Sequence, residues 1–189
     1  MGPPGTRALT EGILASHRRG IAARAEALGL PPEGARFDVH EISDGWTEEV
    51  DGLRVTAGAL PGGPLEAFAY RFESGGRSAV VSGTGWAPDA LIAFSRGAGA
   101  LIHEAAFIPD PETAAMIGVE EDPDRLRREI ALHTRLGEVG GLAQRAGVGT
   151  LVLVRLRPPP IYDIQITSEV NDSFDGTIVI PDDGDEITP

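Results

Sequence analysis

Chemistry in this chain falls to few residue types. Its 189 residues include four histidines (His17, His40, His103 and His133), no cysteine, and sixteen basic residues that are all arginine. Without cysteine there is no disulfide, thiolate metal ligand or sulfur nucleophile. Without lysine there is no Schiff base and no phosphate-gripping ammonium of the Walker type. Acid–base work near neutral pH is therefore left to histidine, assisted by Asp or Glu. None of the histidines stands at HxH or HxxxH spacing, the usual way of aiming two imidazoles at one metal ion. His17 in a helical run and His40 in a β-rich run read as surface or packing residues.

The other chemically suggestive residues lie near segment ends. GALIHEA reads as a buried strand that delivers His103 and Glu104 at its C-terminal end, where α/β folds place their sites. SGTGWAPD supplies Ser82, Thr84 and several backbone N–H groups, suited either to a small anion nest or to an ordinary glycine turn before a helix. Arg155 and Arg157 are able to grip a carboxylate or phosphate bidentately, or to pair with local Asp and Glu. DDGDE near the C-terminus lacks the DxDxDG order of a calcium loop and reads as a solvated acidic tail.

Positioning these groups requires a mixed α/β chain. A helix is expected from Thr10 to Gly29, with Ile13, Leu14, Ile21 and Leu28 approximating one face, Gly29 as its stop, and Pro31 and Pro32 behind it. From Arg36 to Ser82 the runs FDVHEI, LRVTAGAL, FAYRFE and SAVVSG, broken by DGW, PGGP and SGGR turns, predict several strands of one sheet. Pro88 and Asp89 open a short helix closed by Gly97. Asp122 with Pro123 is expected to cap a helix reaching toward Leu132, and Thr134 to cap the next, which Gly147 stops before the strand TLVLVRL. The tail from Ile161 begins with β-like alternation.

Bulk properties bound the answer. With 41% hydrophobic residues the chain has material for one sizeable core, divided as a helical segment 1–34, a core 35–160 and an extension 161–189. A net charge of -13 predicts repulsion from a nucleic-acid backbone or an anionic membrane. No run of eighteen apolar residues occurs, and MGPPGTRALTEG has neither a basic leader nor an apolar core, so a cytoplasmic location is expected.

Between about Ala35 and Pro160 the order of motifs is more specific than any one of them. VHEISDGWTEEVDGLRVTA, AFAYRFESGGRSAVVSG, APDAL, GALIHEAAF, an HT pair opening a helix, and AGVGTLVLVRLRPPP follow one another. This series resembles the C-terminal half of the metallo-β-lactamase superfamily, on its ribonuclease Z and arylsulfatase branch, where the matching stretch reads SGDT, PSDAL, a short helix, then HEA. The resemblance implies an α/β fold: half of an αββα sandwich, a mixed sheet with flanking helices. Half a sandwich is expected to leave an apolar sheet face for a partner to cover.

The resemblance also implies a zinc or iron site, yet its HxHxDH loop is absent, and its three later ligand positions fall near Gly62, on Thr84 and on Arg155. Neither glycine nor a guanidinium can donate to a metal. The expectation is no metal on this chain, with zinc or iron carried by a partner subunit. What the resemblance retains is Glu104 and His133, matching a family pair in which the imidazole donates a proton to the leaving group; by their own chemistry Arg155, Thr84, Ser82 and His103 are the candidates for substrate binding. Two functions fit: a metal-ligand-deficient subunit of a hydrolase-like assembly, paired with itself or a homologous metal-bearing chain, or a metal-independent hydrolase, lyase or isomerase using His133 and Glu104 on a small molecule.

Overall fold

A computed structural model describes residues 1–63, 67–83, 87–109, 111–116, 123–158 and 163–189. The chain forms two compact units, Met1–Asp44 and Gly45–Pro189.

The first unit is built on α1 (Thr6–Leu28). Gly29 stops it in the left-handed conformation (φ 62°), which a residue without Cβ adopts at no steric cost. No residue of α1 is buried, although Leu14, Ile21 and Ala25 line a groove of about 660 Å³ with Leu30 and Ala35. The run FDVHEI, expected as a strand, is not one. Its only β contact is a bridge from Glu41 to Gly2, and it buries Val39 and Ile42, three residues apart, while Phe37 is exposed. The chain's first residues offer it too short a partner for a ladder.

The second unit carries one seven-stranded sheet whose spatial order follows the sequence: β1 (Thr47–Val50), β2 (Leu53–Leu60), β3 (Ala67–Ser74), β4 (Arg77–Val81), β5 (Ala100–Ala106), β6 (Thr150–Arg157) and β7 (Thr177–Val179). The first four form an antiparallel meander. Asp51–Gly52 and Gly75–Gly76 join β1 to β2 and β3 to β4 with positive φ at both central residues, the turn whose twist matches a hairpin. From β4 onward pairing is parallel, and each parallel step needs a crossover. α2 (Pro88–Ser95) supplies the first and α6 (Asp163–Asn171) the last; α3 (Pro111–Met116), α4 (Pro123–Ile130) and α5 (Leu136–Ala146) lie between β5 and β6.

The core lies on one face of the sheet. Leu60, Val80, Leu101, Leu151 and Leu153 pack with Leu91 of α2, Val139 and Leu142 of α5, and Ile166 and Val170 of α6. Gly140 lets α5 approach α6 closely, since a Cβ there would lie 2.6 Å from the Val170 carbonyl oxygen. By strand alternation, Ala100 and Val152 point to the opposite face, and they too are buried. On that opposite face the register aligns Val55 with Phe72 and Tyr70 with Val81 and Ile102; all of these are half-buried except Val81, which is exposed, so an apolar sheet face of the kind expected of half a sandwich is partly open to solvent.

Two other expectations change. The alternation at the start of the tail is not a strand: from Asp163 it is α6, with Ile166 and Val170 turned inward one helical turn apart and Ile164 left 75% exposed. Thr134 does not cap α5, which begins after Arg135 with no side-chain cap. The expected cap at Asp122 lies outside the described residues. No described helix is long and apolar enough to cross a membrane.

Candidate functional site

The candidate residues gather where β4, β5 and β6 end. The parallel register pairs Val81 with Ile102 and Ile102 with Val152, which sets Ser82, His103–Glu104 and Val154–Arg155 side by side at one sheet edge. Parallel strands all release their chains on the same side, so a site there needs no long-range coincidence. The Ser82 amide fixes the first of these releases by donating to the Ile102 carbonyl at 3.1 Å.

Successive residues of β5 engage successive residues of the turn between α4 and α5. Glu104 Oε2 lies 2.8 Å from His133 Nδ1, an ion-pair distance, with the Glu104 side chain 2% exposed and that of His133 13%. His103 Nε2 hydrogen-bonds the Thr134 hydroxyl at 2.8 Å, and its Nδ1 hydrogen-bonds the Ser82 hydroxyl. The Ala106 amide donates to the Thr134 carbonyl at 2.8 Å. Thr134 is thus held by main chain and side chain together. Sequence reading paired Glu104 with His133 but missed Thr134 as a partner for His103; the available signal was a hydroxyl directly following the histidine.

The two histidines sit in different electrostatic settings. His103 is 1% exposed, and burial pushes its pKa down from 6.5 to about 4, so it is neutral at physiological pH. Its partners are hydroxyls, which satisfy a neutral imidazole without adding charge. His133 faces a carboxylate instead. Glu104 Oε2 stands at ion-pair distance from Nδ1 of that ring.

Arg155 follows the register break between β5 and β6. Glu104 pairs with Val154, but Ala106 pairs with Arg157, so β6 fits both Arg155 and Leu156 opposite Ala105. Such an extra residue bends a strand and re-aims a side chain. Arg155 adopts φ 53°, a left-handed conformation uncommon for any residue with a Cβ, and its side chain is exposed. It forms no ion pair with a described residue.

Of the sequence candidates, Ser82, His103, Glu104 and His133 are therefore joined by direct contacts, and Arg155 ends the adjacent strand. Thr84 lies outside the described residues. The donor set does not suit zinc or iron: Gly62 has no side chain, Arg155 carries a cation, and no group of three or more His, Asp or Glu able to hold a metal exists among the described residues.

Comparison with known proteins gives the class. No family model matches. Over 163 residues the chain is 32% identical to ribonuclease Z of Mycobacterium sp. (strain KMS), a match covering 84% of this chain and 54% of that protein. Among solved structures it is similar to the metallo-beta-lactamase fold protein YhfI from Bacillus subtilis, with TM-score 0.57 and 22% identity over 75% of this chain and 52% of that one. It is also similar to Zn(2+)-bound PqqB from Methylobacterium extorquens, with TM-score 0.53 and 21% identity over 78% and 56%. The mixed seven-stranded sheet with its crossover helices is the metallo-β-lactamase fold. Within that superfamily its sequence likeness is to ribonuclease Z proteins. It spans about half the length of the ribonuclease Z relative it matches. Because relatives carry the name of a ribonuclease, the exclusion of nucleic acid drawn from net charge is not supported.

Proposed function

We propose that this chain is a ligand-deficient subunit of a metallo-β-lactamase-fold hydrolase, assembled with a second copy or with a homologous chain that carries the metals. The retained pair, Glu104 against His133 at 2.8 Å, carries the reading. Glu104 holds the imidazole in one tautomer, and His133 delivers a proton from Nε2 to the departing group of an ester or phosphodiester. Arg155, exposed at the re-aimed end of β6, meets the anionic part of the substrate. Zinc or iron held by the partner would supply an activated water, and the whole assembly resides in the cytoplasm.

A second reading takes its support from Arg155. An exposed guanidinium with no described ion pair suits a chain that binds an anionic small molecule itself and uses His133 without a metal, on a bond weak enough to break by proton transfer alone.

Both readings are tested on the protein isolated from its source cell, by light scattering and by identifying co-purifying chains. A dimer or a metal-bearing companion is expected, with turnover falling about a hundredfold or more in His133→Ala. A monomer without companion overturns the first reading. Unchanged turnover in His133→Ala and Glu104→Gln overturns both.

A further inference from the structure

His103 is placed as if for contact with substrate, at a strand end beside a candidate acid, but its surroundings are closed. Both ring nitrogens are engaged, Nδ1 by the Ser82 hydroxyl and Nε2 by the Thr134 hydroxyl, and the residue is 1% exposed. Ser82 begins the segment after β4, and Thr134 immediately follows His133 ahead of α5. The imidazole therefore spans from one strand's exit to the next crossover.

We infer that His103 is a positioning residue: a neutral strut between Ser82 and Thr134 that fixes the peptide carrying His133 and so holds that ring against Glu104. The inference rests on the reading of Glu104 and His133 as a working pair. Geometry carries the rest. Glu104 can direct the His133 ring only if the backbone of residue 133 stays where it is, and that backbone lies between regular elements, α4 ending at Ile130 and α5 starting at Leu136, with the His133 amide donating to the Ile130 carbonyl at 2.9 Å on its N-terminal side. Thr134 supplies the anchor through its hydroxyl on His103 and its carbonyl on the Ala106 amide. Imidazole suits the strut because it is rigid, holds a donor and an acceptor on opposite sides, and needs no countercharge. The hydroxyls at its two ends can each donate or accept, so either tautomer of His103 completes the chain.

The test uses the full chain labelled with ¹⁵N-histidine, and two-bond proton–nitrogen spectra that report the tautomer of each ring. Wild-type His133 is expected with its proton on Nδ1, toward Glu104, and Glu104→Gln defines the spectrum of the released ring. Thr134→Val, which keeps shape and removes the hydroxyl, is expected to change the His133 tautomer ratio toward the released form by about tenfold, the scale of one lost hydrogen bond. Thr134→Ser is expected to restore it. Ser82→Ala cuts the other end of the strut and gives the same readout should the valine variant not fold. The inference is overturned if His103 signals move in these variants while His133 keeps its wild-type tautomer, which is what a strut serving stability alone would give. Since the spectra require no turnover, a failed catalytic role for His133 would be seen separately, in the activity of His133→Ala.

Discussion

Acid should destabilise this protein through one buried imidazole. His103 has a pKa of about 4 in the folded chain and 6.5 when unfolded. Between those values the unfolded state binds one more proton, so stability falls as the pH falls. The contribution is complete above pH 6.5 and is lost progressively down to about pH 4. A gap of about 2.5 between the two values, at 1.36 kcal/mol for each, gives a loss of about 3 kcal/mol, with a slope no steeper than about 1.4 kcal/mol per pH unit. Many carboxylates titrate in the same range, so the measurement is a difference. Urea unfolding of wild type and His103→Gln, followed at constant ionic strength from pH 7.5 to pH 4, removes the contributions the two share. Wild type should be the more stable at pH 7.5, and its advantage should shrink by about 3 kcal/mol on acidification. Curves that stay parallel to within about 0.5 kcal/mol would show that His103 is not held neutral by burial.

Two further substitutions probe the frame around the site. In Gly140→Ala the added methyl meets the Val170 carbonyl oxygen at 2.6 Å and also the Ser173 hydroxyl, and backbone cannot swing aside, so a net loss of about 2 kcal/mol is expected in urea unfolding despite alanine's better helix propensity; unchanged stability would contradict the close α5–α6 approach. Arg155→Gly and Arg155→Ala remove the same guanidinium but differ at φ 53°, so the glycine variant should be about 1 kcal/mol the more stable, and equal midpoints would mean the backbone there is not left-handed.

Much of the frame was legible because local chemistry and tertiary packing agree. Gly29 and Gly147 are both left-handed helix stops, Pro88 opens α2, the runs LRVTAGAL, FAYRFE and TLVLVRL lie in strands, and SAVVSG and GALIHEA each contain most of one. Two runs misled for opposite reasons. FDVHEI has strand residues but no strand beside it, and pairing is a property of two segments. The alternation at Ile164 and Ile166 hid the Ile166–Val170 step, and which period prevails depends on where α5 lies, information no short window contains. In the site, Glu104 and His133 stood out through their motif, whereas the partners of His103 did not: Ser82 and Thr134 are 21 and 31 residues away from it, and a hydroxyl carries no spacing rule that announces its acceptor.

The helix α1 carries a consequence for how the chain opens. A strand such as β5, hydrogen-bonded to a neighbour on each side and buried, can expose its amides only in large, costly fluctuations. The 23 residues of α1 bury no side chain, so little beyond its own hydrogen bonds opposes local fraying. In a deuterium-exchange time course the two should separate cleanly, with α1 amides exchanging early and β5 and β6 amides last. A helix that instead exchanged as slowly as β5 in the assembled protein, but early in the isolated chain, would mark its groove as the surface that assembly covers.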